Sequence, residues 1–577
     1  MHRTNEYFAR PLLMAVLLMM TASLSQAKNK KLAPELHEKL ASLMANAETA
    51  NAEKHASREQ MLDVIIQFRH NKPLDRHIRK VLELGGKHIH RLGVIHAGLF
   101  HLPARLVSVL AQDPDVLYIS PDRKTRRFSD DYLLPSTNGD LAQQLGYDGS
   151  GVGIAIVDSG VRTDHPDLAD PITGTSRVVY SESFVPGLDA IDQYGHGTHV
   201  AGLLAGNGSS SGRAIQGIAP HANIINLRVL DANGSGTDSA VIAAIERAIQ
   251  LKSTYNIGII NLSLGRGISE SYTQDPLCQA VEQAWQAGIV VVVAAGNSGR
   301  DNSMGTNGYG TIGAPGNDPY VITVGATNTH DTSTKSDDTI ASYSSKGPSL
   351  LDHVIKPDLV APGNRISSLI ASSSTLDTSY PTEEVAPSTY GMNSTAPTEY
   401  FVLSGTSMAT PVVSGAVALM LQKDPTLTPD QVKARLMKTA SKLYQPYSTA
   451  TDSQGNSYSI QYDIFTVGSG YLDIYGALTN TDIANGTALS PIAVLDANGN
   501  AMLQADPSSV WSNSVIWGNS VIWGNNVFVS GTSVIWGNSV IWGNSTTDGY
   551  SVIWGNSVIW GNSASESFSS AGNFDRN

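Results

Sequence analysis

Three residue types that together perform nucleophilic catalysis occur in this chain, each among glycines and other small residues. Asp158 lies in the segment Val-Asp-Ser-Gly, His196 in Gly-His-Gly-Thr-His, and Ser407 in Gly-Thr-Ser-Met-Ala. A serine hydroxyl is a poor nucleophile at neutral pH, so it needs a base within hydrogen-bond distance. The order along the chain, Asp then His then Ser, is one of the convergent orders in which Ser-His-Asp triads occur. The three segments therefore predict catalysis by such a triad.

A fourth segment, Ala-Ala-Gly-Asn-Ser-Gly at residues 294–299, follows a predicted strand and lies between His196 and Ser407. Alone, Asn-Ser-Gly is more typical of a turn, and His-Gly-Thr-His could indicate a metal-binding pair that includes His199. Together and in this order, the four segments resemble those of the subtilisin-like serine peptidases, the subtilases. The resemblance covers about residues 129–480.

The resemblance implies a role for each of these residues. Ser407 would attack the scissile carbonyl, and His196 would take its proton and pass it to the leaving amine. Asp158 would orient the imidazole and stabilise its charged form. The amide of Asn297 would complete an oxyanion hole, beside free N–H groups at the start of the helix that Ser407 is expected to begin. His199 is then a packing residue rather than a metal ligand.

The resemblance also implies that a polypeptide substrate is held largely through backbone groups. An extended peptide would be added as a strand between two short segments, and two further glycines would leave the P1 pocket open for a large apolar residue. The residues expected to contact the substrate are Gly234, Ser235, Gly236, Ser263, Leu264, Gly265, Gly296 and Gly313.

No organic cofactor is required for this chemistry. The loop 207–216, where compact subtilisins hold calcium, contains no Asp or Glu, so calcium is not expected there. Calcium elsewhere stays open, because the body is acidic, although no EF-hand-like spacing occurs. Cys278, the only cysteine, lies in the setting of a buried helix face and is expected to be structural. The segment 367–402 is longer than in compact subtilisins and is either a lid or exosite, or a tolerated surface insertion.

From Gly151 onwards, strand patterns alternate with helix patterns, which predicts an α/β fold. The expected architecture is a subtilisin-like parallel sheet with helices on both faces, and Asp158 lies at the carboxyl end of its first strand, where open parallel sheets place their sites. Strands are expected at 152–157, 223–230, 257–264, 289–295 and 320–324, with helices at 237–252 and 276–287 and another after the capping box at 428–431.

The first 27 residues have the features of a secretory signal peptide. Arg3 and Arg10 precede an apolar run at 12–20, and Ser-Gln-Ala at 25–27 offers a cleavage site. A membrane anchor is the alternative, but the run is short for a span. We therefore expect a secreted protein, with the periplasm or the cell surface as open alternatives.

Residues 28–128 are expected to form a separate β-α-β-α-β unit, with room for one more strand between 86 and 92. This unit resembles the propeptide of subtilases, a small α+β domain that assists folding and inhibits the enzyme; an unrelated domain is the alternative. The run Arg-Lys-Thr-Arg-Arg at 123–127 would be an exposed linker, and self-cleavage is expected between Ser120 and Pro135.

Charge divides the chain unevenly. Residues 28–128 carry 18 basic and 11 acidic side chains, a net charge of +7, whereas residues 129–577 carry 18 and 39, a net charge of −21. The basic segment could therefore dock on the acidic body through electrostatic attraction. The acidic body argues against nucleic acid as a partner.

The catalytic domain is expected to span residues 129–482, followed at 483–577 by a linker and a short β-rich tail. In this tail Ser-Val-Ile-Trp-Gly-Asn occurs six times, and seven of the eight tryptophans of the chain lie there. Paired copies flank Gly-Asn turns, so the tail is either three small hairpins or a stacked β-solenoid. It could bind polysaccharide, the cell surface or itself.

The sequence thus predicts a secreted serine endopeptidase made as a self-processing zymogen. Two alternatives are kept. One is a structural or adhesive protein whose Trp-rich repeats bind while the catalytic body is an inactive scaffold. The other is an esterase or a peptide ligase that uses the same triad.

Overall fold

The computed structural model describes residues 61–70, 72–122, 132–442, 447–495, 501–504, 506 and 508–510, together with 31–33, 36 and 40. Contacts divide the chain into two compact units, residues 1–126 and 127–577. The predicted signal peptide, most of residues 28–58, the basic run at 123–127 and the repeats lie outside the described residues. Within the described parts of the chain, no helix is both long and apolar enough to cross a membrane.

Between residues 61 and 122, of which only residue 71 is not described, the first unit forms a four-stranded antiparallel sheet and two helices, an α+β arrangement. In chain order its elements are β1 (Met61–Phe68), α1 (Leu74–Glu83), β2 (Lys87–Leu92), β3 (Ala97–Pro103), α2 (Ala104–Leu110) and β4 (Val116–Pro121). The strands are ordered β2-β3-β1-β4. The additional strand expected between 86 and 92 is β2. Strand β3 begins only at Ala97, because Gly93–Ile95 forms a 3-10 turn and His96 has a left-handed backbone with φ 50°.

The second unit is built on one large sheet with parallel strands, apart from a two-residue edge strand. Its strands are β5 (Gly153–Asp158), β6 (Val178–Ser183), β7 (Asn223–Arg228), β8 (Ile257–Leu262), β9 (Val290–Ala294), β10 (Ile322–Asn328), β11 (Thr339–Ile340) and β12 (Leu359–Pro362). The order is β11-β10-β9-β8-β5-β7-β6, with β12 also paired to β10. Only β11 is antiparallel to its neighbour among these strands. Every residue of β5 is buried, as expected for a strand covered on both faces.

The helices of the second unit cover the sheet in two groups. They are α3 (Leu133–Ser136), α4 (Gly139–Gln144), α5 (His196–Ala205), α6 (Asp238–Tyr255), α7 (Pro276–Gln286), α8 (Thr375–Ser379), α9 (Thr406–Lys423), α10 (Pro429–Thr439), α11 (Ile464–Val467) and α12 (Ile474–Thr479). Helices α5 and α9 pack against each other, and α9 also packs on β8, β9 and β10. Helices α6 and α7 form the other contacting pair, and α6 packs on β5, β7 and β8. The predicted capping box at the start of α10 is present.

The described residues of the second unit also form three antiparallel strand pairs. They are β13 (Ile366–Leu369) with β14 (Tyr400–Leu403), β15 (Tyr447–Thr451) with β16 (Ser457–Gln461), and β17 (Ile492–Leu495) with β18 (Ala501–Gln504). The segment 367–402, treated as a loop in the sequence, therefore begins and ends in paired strands. Leu369 and Tyr400 at the two ends are buried, at 2% and 0% exposure, so this segment has a fixed base.

Residues that the sequence assigns to the linker pack on the second unit. Ser490 is 4% exposed, and its hydroxyl donates to Asp358 Oδ1 at 2.6 Å. Ile355 N donates to Pro491 O at 2.8 Å, and Ala488 is fully buried. The ordered body therefore extends beyond residue 482.

The sheet brings several chain segments to one edge. Strands β5, β8 and β9 are parallel neighbours, so Asp158, Ser263 and Asn297, which end or follow them, emerge on the same side. Helices α5 and α9 begin with His196 and Thr406 and contact each other. This edge is where an open parallel sheet is expected to carry its site.

Candidate active site

The Asp158 carboxylate and the His196 imidazole form a buried pair at the sheet edge. Asp158 Oδ1 lies 2.8 Å from His196 Nδ1, and it also accepts from the backbone N–H of Ser159 at 2.7 Å. The two side chains are buried, because their residues are only 1% and 3% exposed. A Cβ at Gly197 would lie 2.1 Å from Gly160 O, so glycine is what allows α5 to approach the end of β5 this closely. Within the described residues, Nε2 of His196 has no hydrogen-bond partner.

Ser407 is the second residue of α9 and is fully buried. Its hydroxyl donates to the carbonyl oxygen of Ser263 at 3.0 Å, and the Ser263 hydroxyl donates to Ser407 O at 2.9 Å. Ser407 is therefore fixed against the segment that follows β8. In this structure its hydroxyl is engaged by a carbonyl rather than by an imidazole.

The side chain of Asn297 is oriented by Thr406. Asn297 Oδ1 accepts from Thr406 N at 2.9 Å and from Thr406 Oγ1 at 3.1 Å. The Thr406 hydroxyl in turn accepts from Gly296 N at 3.1 Å. No described residue accepts from the amide nitrogen Nδ2 of Asn297, and this atom lies 3.2 Å from the position a Cβ would take on Gly405. The amide is thus a free donor beside Ser407.

Asp192, which the sequence analysis missed, organises the backbone around His196. Its Oδ1 accepts from Ser159 Oγ at 2.8 Å, Tyr194 N at 3.1 Å and Gly195 N at 2.7 Å. Its Oδ2 accepts from the backbone N–H and the hydroxyl of Thr198, at 2.8 and 2.7 Å. Asp192 lies four residues before His196, but only its burial, at 6% exposure, distinguishes it from other acidic residues.

The two carboxylates set the charge state of His196. Burial disfavours the charged imidazole, but the charge and hydrogen bond of Asp158, together with the charge of Asp192, outweigh burial and raise the pKa of His196. The site therefore stabilises an imidazolium, which is the state the ring adopts after taking a proton from a serine.

His199 is a packing residue, as the sequence predicted. It is fully buried, and its Nε2 donates to Ile366 O at 3.1 Å and to Phe401 O at 3.0 Å, on β13 and β14. Burial, and to a lesser degree the charge of His196, lowers the pKa of His199 to about 3, so the ring is neutral. It joins α5 to the base of the inserted segment.

A cleft runs beside His196 and contains six of the eight residues predicted to contact substrate. Its lining residues are Tyr194, His196, Leu230, Asn233, Gly234, Ser235, Gly236, Thr237, Asp238, Val241, Ser263, Leu264, Gly265, Arg266 and Leu277. Gly296 and Gly313 do not line this cleft. They lie near each other beside Asn297, since Gly313 N donates to Ala295 O at 3.0 Å. The cleft residues Asp238 and Arg266 were not anticipated, because their pairing joins residues on separate elements.

The inserted segment between β13 and β14 is attached to the loop that precedes His196. Thr375 N donates to Gln193 O at 3.0 Å, and Leu376 N donates to Tyr194 O at 3.0 Å. At its base, Glu399 accepts from Arg162 Nη1 at 3.0 Å. These contacts attach the segment to the loop before His196, although none of its residues lines the cleft.

The residues around loop 207–216 do not fit a calcium ion. Ser210 N donates to Asp167 Oδ1 at 2.7 Å, and Tyr400 OH donates to Asp167 Oδ2 at 2.6 Å, so the nearby carboxylate is already bonded. Across the described ranges, no group of three or more His, Cys, Asp and Glu residues could hold a metal ion.

Cys278 is buried, and its thiol lies 3.4 Å from Asn317 Oδ1. Burial raises the pKa of this thiol, which is consistent with a structural cysteine.

Comparison with known proteins agrees with this fold. The model of the subtilase family matches residues 149–459. The chain therefore belongs to the subtilase family and is a serine-type endopeptidase. Enzymes of this family do not depend on an organic cofactor, although calcium binding is common among them.

Three relatives illustrate the similarity. Serine protease AprX of Bacillus subtilis (strain 168) is 38% identical over 347 residues, which cover 59% of this chain and 73% of the relative. Subtilisin E of the same organism is 35% identical over 367 residues, 63% of this chain and 80% of the relative. The extracellular serine proteinase of Thermus sp. (strain Rt41A) is 35% identical over 351 residues, 59% of this chain and 70% of the relative.

Proposed function

We propose that this endopeptidase hydrolyses peptide bonds through an acyl-enzyme on Ser407, with His196 as general base and Asp158 as its orienting carboxylate. The observation that carries the proposal is the buried Asp158–His196 pair, whose free Nε2 lies at the sheet edge where Ser407 and Asn297 also emerge. The adjoining cleft supports a polypeptide substrate.

In this proposal the Ser407 hydroxyl leaves the Ser263 carbonyl and gives its proton to Nε2 of His196 while Oγ attacks the scissile carbonyl carbon. The oxyanion that forms accepts a hydrogen bond from Nδ2 of Asn297, which has no other acceptor among the described residues. The imidazolium then protonates the leaving amine, and the C–N bond breaks. A water molecule, deprotonated by His196, attacks the acyl ester and releases the carboxylate product and Ser407.

We further propose that the chain is secreted as a zymogen. Residues 1–27 would be the signal peptide and 28–128 the propeptide. The catalytic domain would comprise residues 129–482 and the residues near 490 that pack on it, and the rest of 483–577 would be the linker and repeat tail. Support comes from the separate first unit and its net charge of +7 opposite an acidic body. The Thermus relative is named as extracellular, which agrees with secretion. The tail would bind polysaccharide, the cell surface or other copies of itself.

The test compares the wild-type precursor with Ser407→Ala and with a matched variant on the same helix, Ser414→Ala. Intact mass over time reports self-cleavage, and hydrolysis of an unstructured protein reports activity. We expect the wild type and Ser414→Ala to lose about residues 28–128 and then degrade the substrate, and Ser407→Ala to do neither.

The proposal would be overturned if all three proteins stayed intact and inert after trace protease had removed residues 28–128. In that case an inactive scaffold with a binding tail becomes the better hypothesis for the function of this protein. Hydrolysis of esters without hydrolysis of amides would instead indicate an esterase.

A further inference from the structure

One wall of the cleft carries two charged side chains, Asp238 and Arg266, and the buried Asp275 lies behind Arg266. Arg266 lies between Asp238 and Asp275: its Nε donates to Asp238 Oδ1 and Oδ2 at 3.0 and 2.9 Å, and its Nη2 donates to Asp275 Oδ1 at 2.8 Å. Asp238 and Arg266 line the cleft together with His196. One guanidinium thus faces two carboxylates, which leaves this wall with an excess of negative charge.

The guanidinium has little capacity for a further anion. Besides its bonds to the two carboxylates, its Nη1 donates to Gly267 O at 3.2 Å, so each of its three nitrogens already has an acceptor. A planar guanidinium binds a carboxylate well only through a free pair of N–H groups. An acidic substrate side chain would therefore find no donor pair on Arg266, and it would meet the charge of Asp238.

The carboxylate of Asp238, by contrast, is open to a cation. Its side chain is 43% exposed, whereas that of Arg266 is 30% exposed and that of Asp275 is 0% exposed. Asp238 is the first residue of α6, and the N-terminal end of a helix attracts negatively charged groups. The second oxygen of Asp275, Oδ2, is buried without a hydrogen-bond partner among the described residues, so its negative charge is only partly compensated.

The other residues that line the cleft add no permanent charge. Apart from His196, they are neutral side chains and glycines. Among the described residues near α6, a peptide side chain that enters the cleft therefore meets the exposed Asp238 carboxylate, beside a guanidinium whose nitrogens are already paired. At such a place a lysine or arginine is favoured over a glutamate by Coulomb attraction and by a charge-assisted hydrogen bond.

We propose that Asp238 is a specificity-determining residue that selects substrates with a lysine or arginine at the position whose side chain reaches this wall. Arg266 and Asp275 act as positioning residues, because they fix the Asp238 carboxylate and supply the excess negative charge. This inference rests on the proposed function and adds the class of substrate side chain that the cleft prefers.

The test uses quenched fluorescent peptides with lysine, glutamine or glutamate placed in turn at each of several positions on both sides of the cleaved bond. For the mature wild-type enzyme we expect kcat/KM to be about fivefold or more higher for lysine than for glutamate at one position. In Asp238→Asn this ratio should fall towards one.

Glu246→Gln is the matched control. Glu246 lies on the same helix but outside the cleft, where it is exposed and accepts a hydrogen bond from Gln250 at 3.1 Å. The substitution Glu246→Gln therefore removes the same charge as Asp238→Asn without changing the cleft. We expect it to keep both the activity and the lysine preference. This control separates the local effect of Asp238 from the general attraction of a basic peptide to an acidic protein.

A second measurement on the wild type alone keeps the inference testable if Asp238→Asn does not fold. The lysine-to-glutamate ratio should decrease as salt rises from about 0.1 M to about 1 M, because the screening length falls from about 10 Å to about 3 Å. A wild type that cleaves the glutamine peptides but shows no lysine preference at any position overturns this inference alone. A wild type that cleaves no peptide overturns the proposed function instead.

Discussion

Two atoms that the proposed chemistry requires, Nε2 of His196 and Nδ2 of Asn297, have no hydrogen-bond partner among the described residues. Asn297 Oδ1 accepts two hydrogen bonds from Thr406, which fix the plane of the side-chain amide. Its Nδ2 is left as a donor without a partner among the described residues. Such a donor contributes little to substrate binding and much to the transition state, because it bonds best to the oxygen once that atom is charged.

Asn297→Ala is therefore expected to lower kcat with little change in KM. Loss of one such donor costs about 10²–10³ in kcat in subtilisin, a relative of this chain, and we take that range as the expectation here. Steady-state kinetics on one peptide measures it. An equal loss carried by KM would place Asn297 in ground-state binding instead.

Asp192 is expected to tune His196 as well as to support its backbone. In Asp192→Asn, the negative charge that helps to raise the pKa of His196 is removed, while the amide oxygen still accepts from some of the five donors. Activity requires a neutral His196, so it rises with pH through the pKa of that ring. The acidic limb of kcat/KM should therefore shift to lower pH, and kcat should fall about tenfold through weaker positioning.

The pH profile distinguishes this role from a merely structural one. A variant that only loosened the fold would lose activity across the whole profile without moving its acidic limb. Asp189→Asn is a suitable control, because this nearby aspartate has a side chain that is 64% exposed. Its acidic limb should match that of the wild type.

At the scale of elements, the sequence predicts five strands of the large sheet and the helices α6 and α7 to within a few residues, but it does not predict β6 or the buried strand β12. Apolar runs define β5 and β9, and apolar periodicity with an N-cap at Thr237 defines α6. The pairing of β13 with β14 was not foreseen, because it joins two four-residue strands across a long insertion. Local sequence carries no sign of such a partner.

The same limit applies within the site. The residues proposed for the triad, and Asn297, lie in short local motifs, so the sequence alone can propose them. Asp192 and Arg266 depend on contacts that only the folded chain creates. Their residue types are ordinary, and only burial or an opposing charge makes them part of the site.

The loop between β10 and β11 contains a carboxyl group whose titration should change stability. Asp338 is 4% exposed, and burial, aided by the charge of Asp337, raises its pKa to about 7 from the usual 3.8. Since the folded state holds this proton more tightly than the unfolded state, the wild type should lose stability as pH rises from about 4 to about 7.

The substitution Asp338→Asn should remove this pH-dependent loss of stability, because asparagine does not titrate. Relative to its parent, the variant should gain about 2–4 kcal/mol in the free energy of unfolding between pH 4 and pH 8, with no further gain above that. Urea unfolding in a Ser407→Ala background measures it without self-digestion. Asp337→Asn, an exposed neighbour, should show a much smaller pH-dependent difference, and an equal one would contradict the assignment.

At the scale of the whole molecule, the second unit has a topology that is slow to assemble. Its first strand, β5, lies in the interior of the sheet, where Gly153 pairs with Asn223 on one side and Ile257 on the other. The sheet cannot form around β5 until these distant segments are brought next to it. Closing such long loops costs conformational entropy before the strand contacts that compensate for it have formed. Local helices form early but do not specify the strand order.

We therefore predict that the second unit refolds poorly without the first. Two Ser407→Ala chains, residues 28–510 and residues 129–510, contain Trp285 as their one tryptophan, and it is 3% exposed in the core. After dilution from denaturant, the longer chain should recover the native emission of Trp285, and the shorter chain should remain in a partly folded state. Residues 28–128 added as a separate chain should restore the native Trp285 emission of the shorter chain. This effect should be smaller at high salt, because salt screens the attraction between the net charge of +7 on residues 28–128 and the acidic second unit. Equal recovery of both chains would show that the second unit carries its own folding information, and it would leave inhibition as the only role proposed for the first.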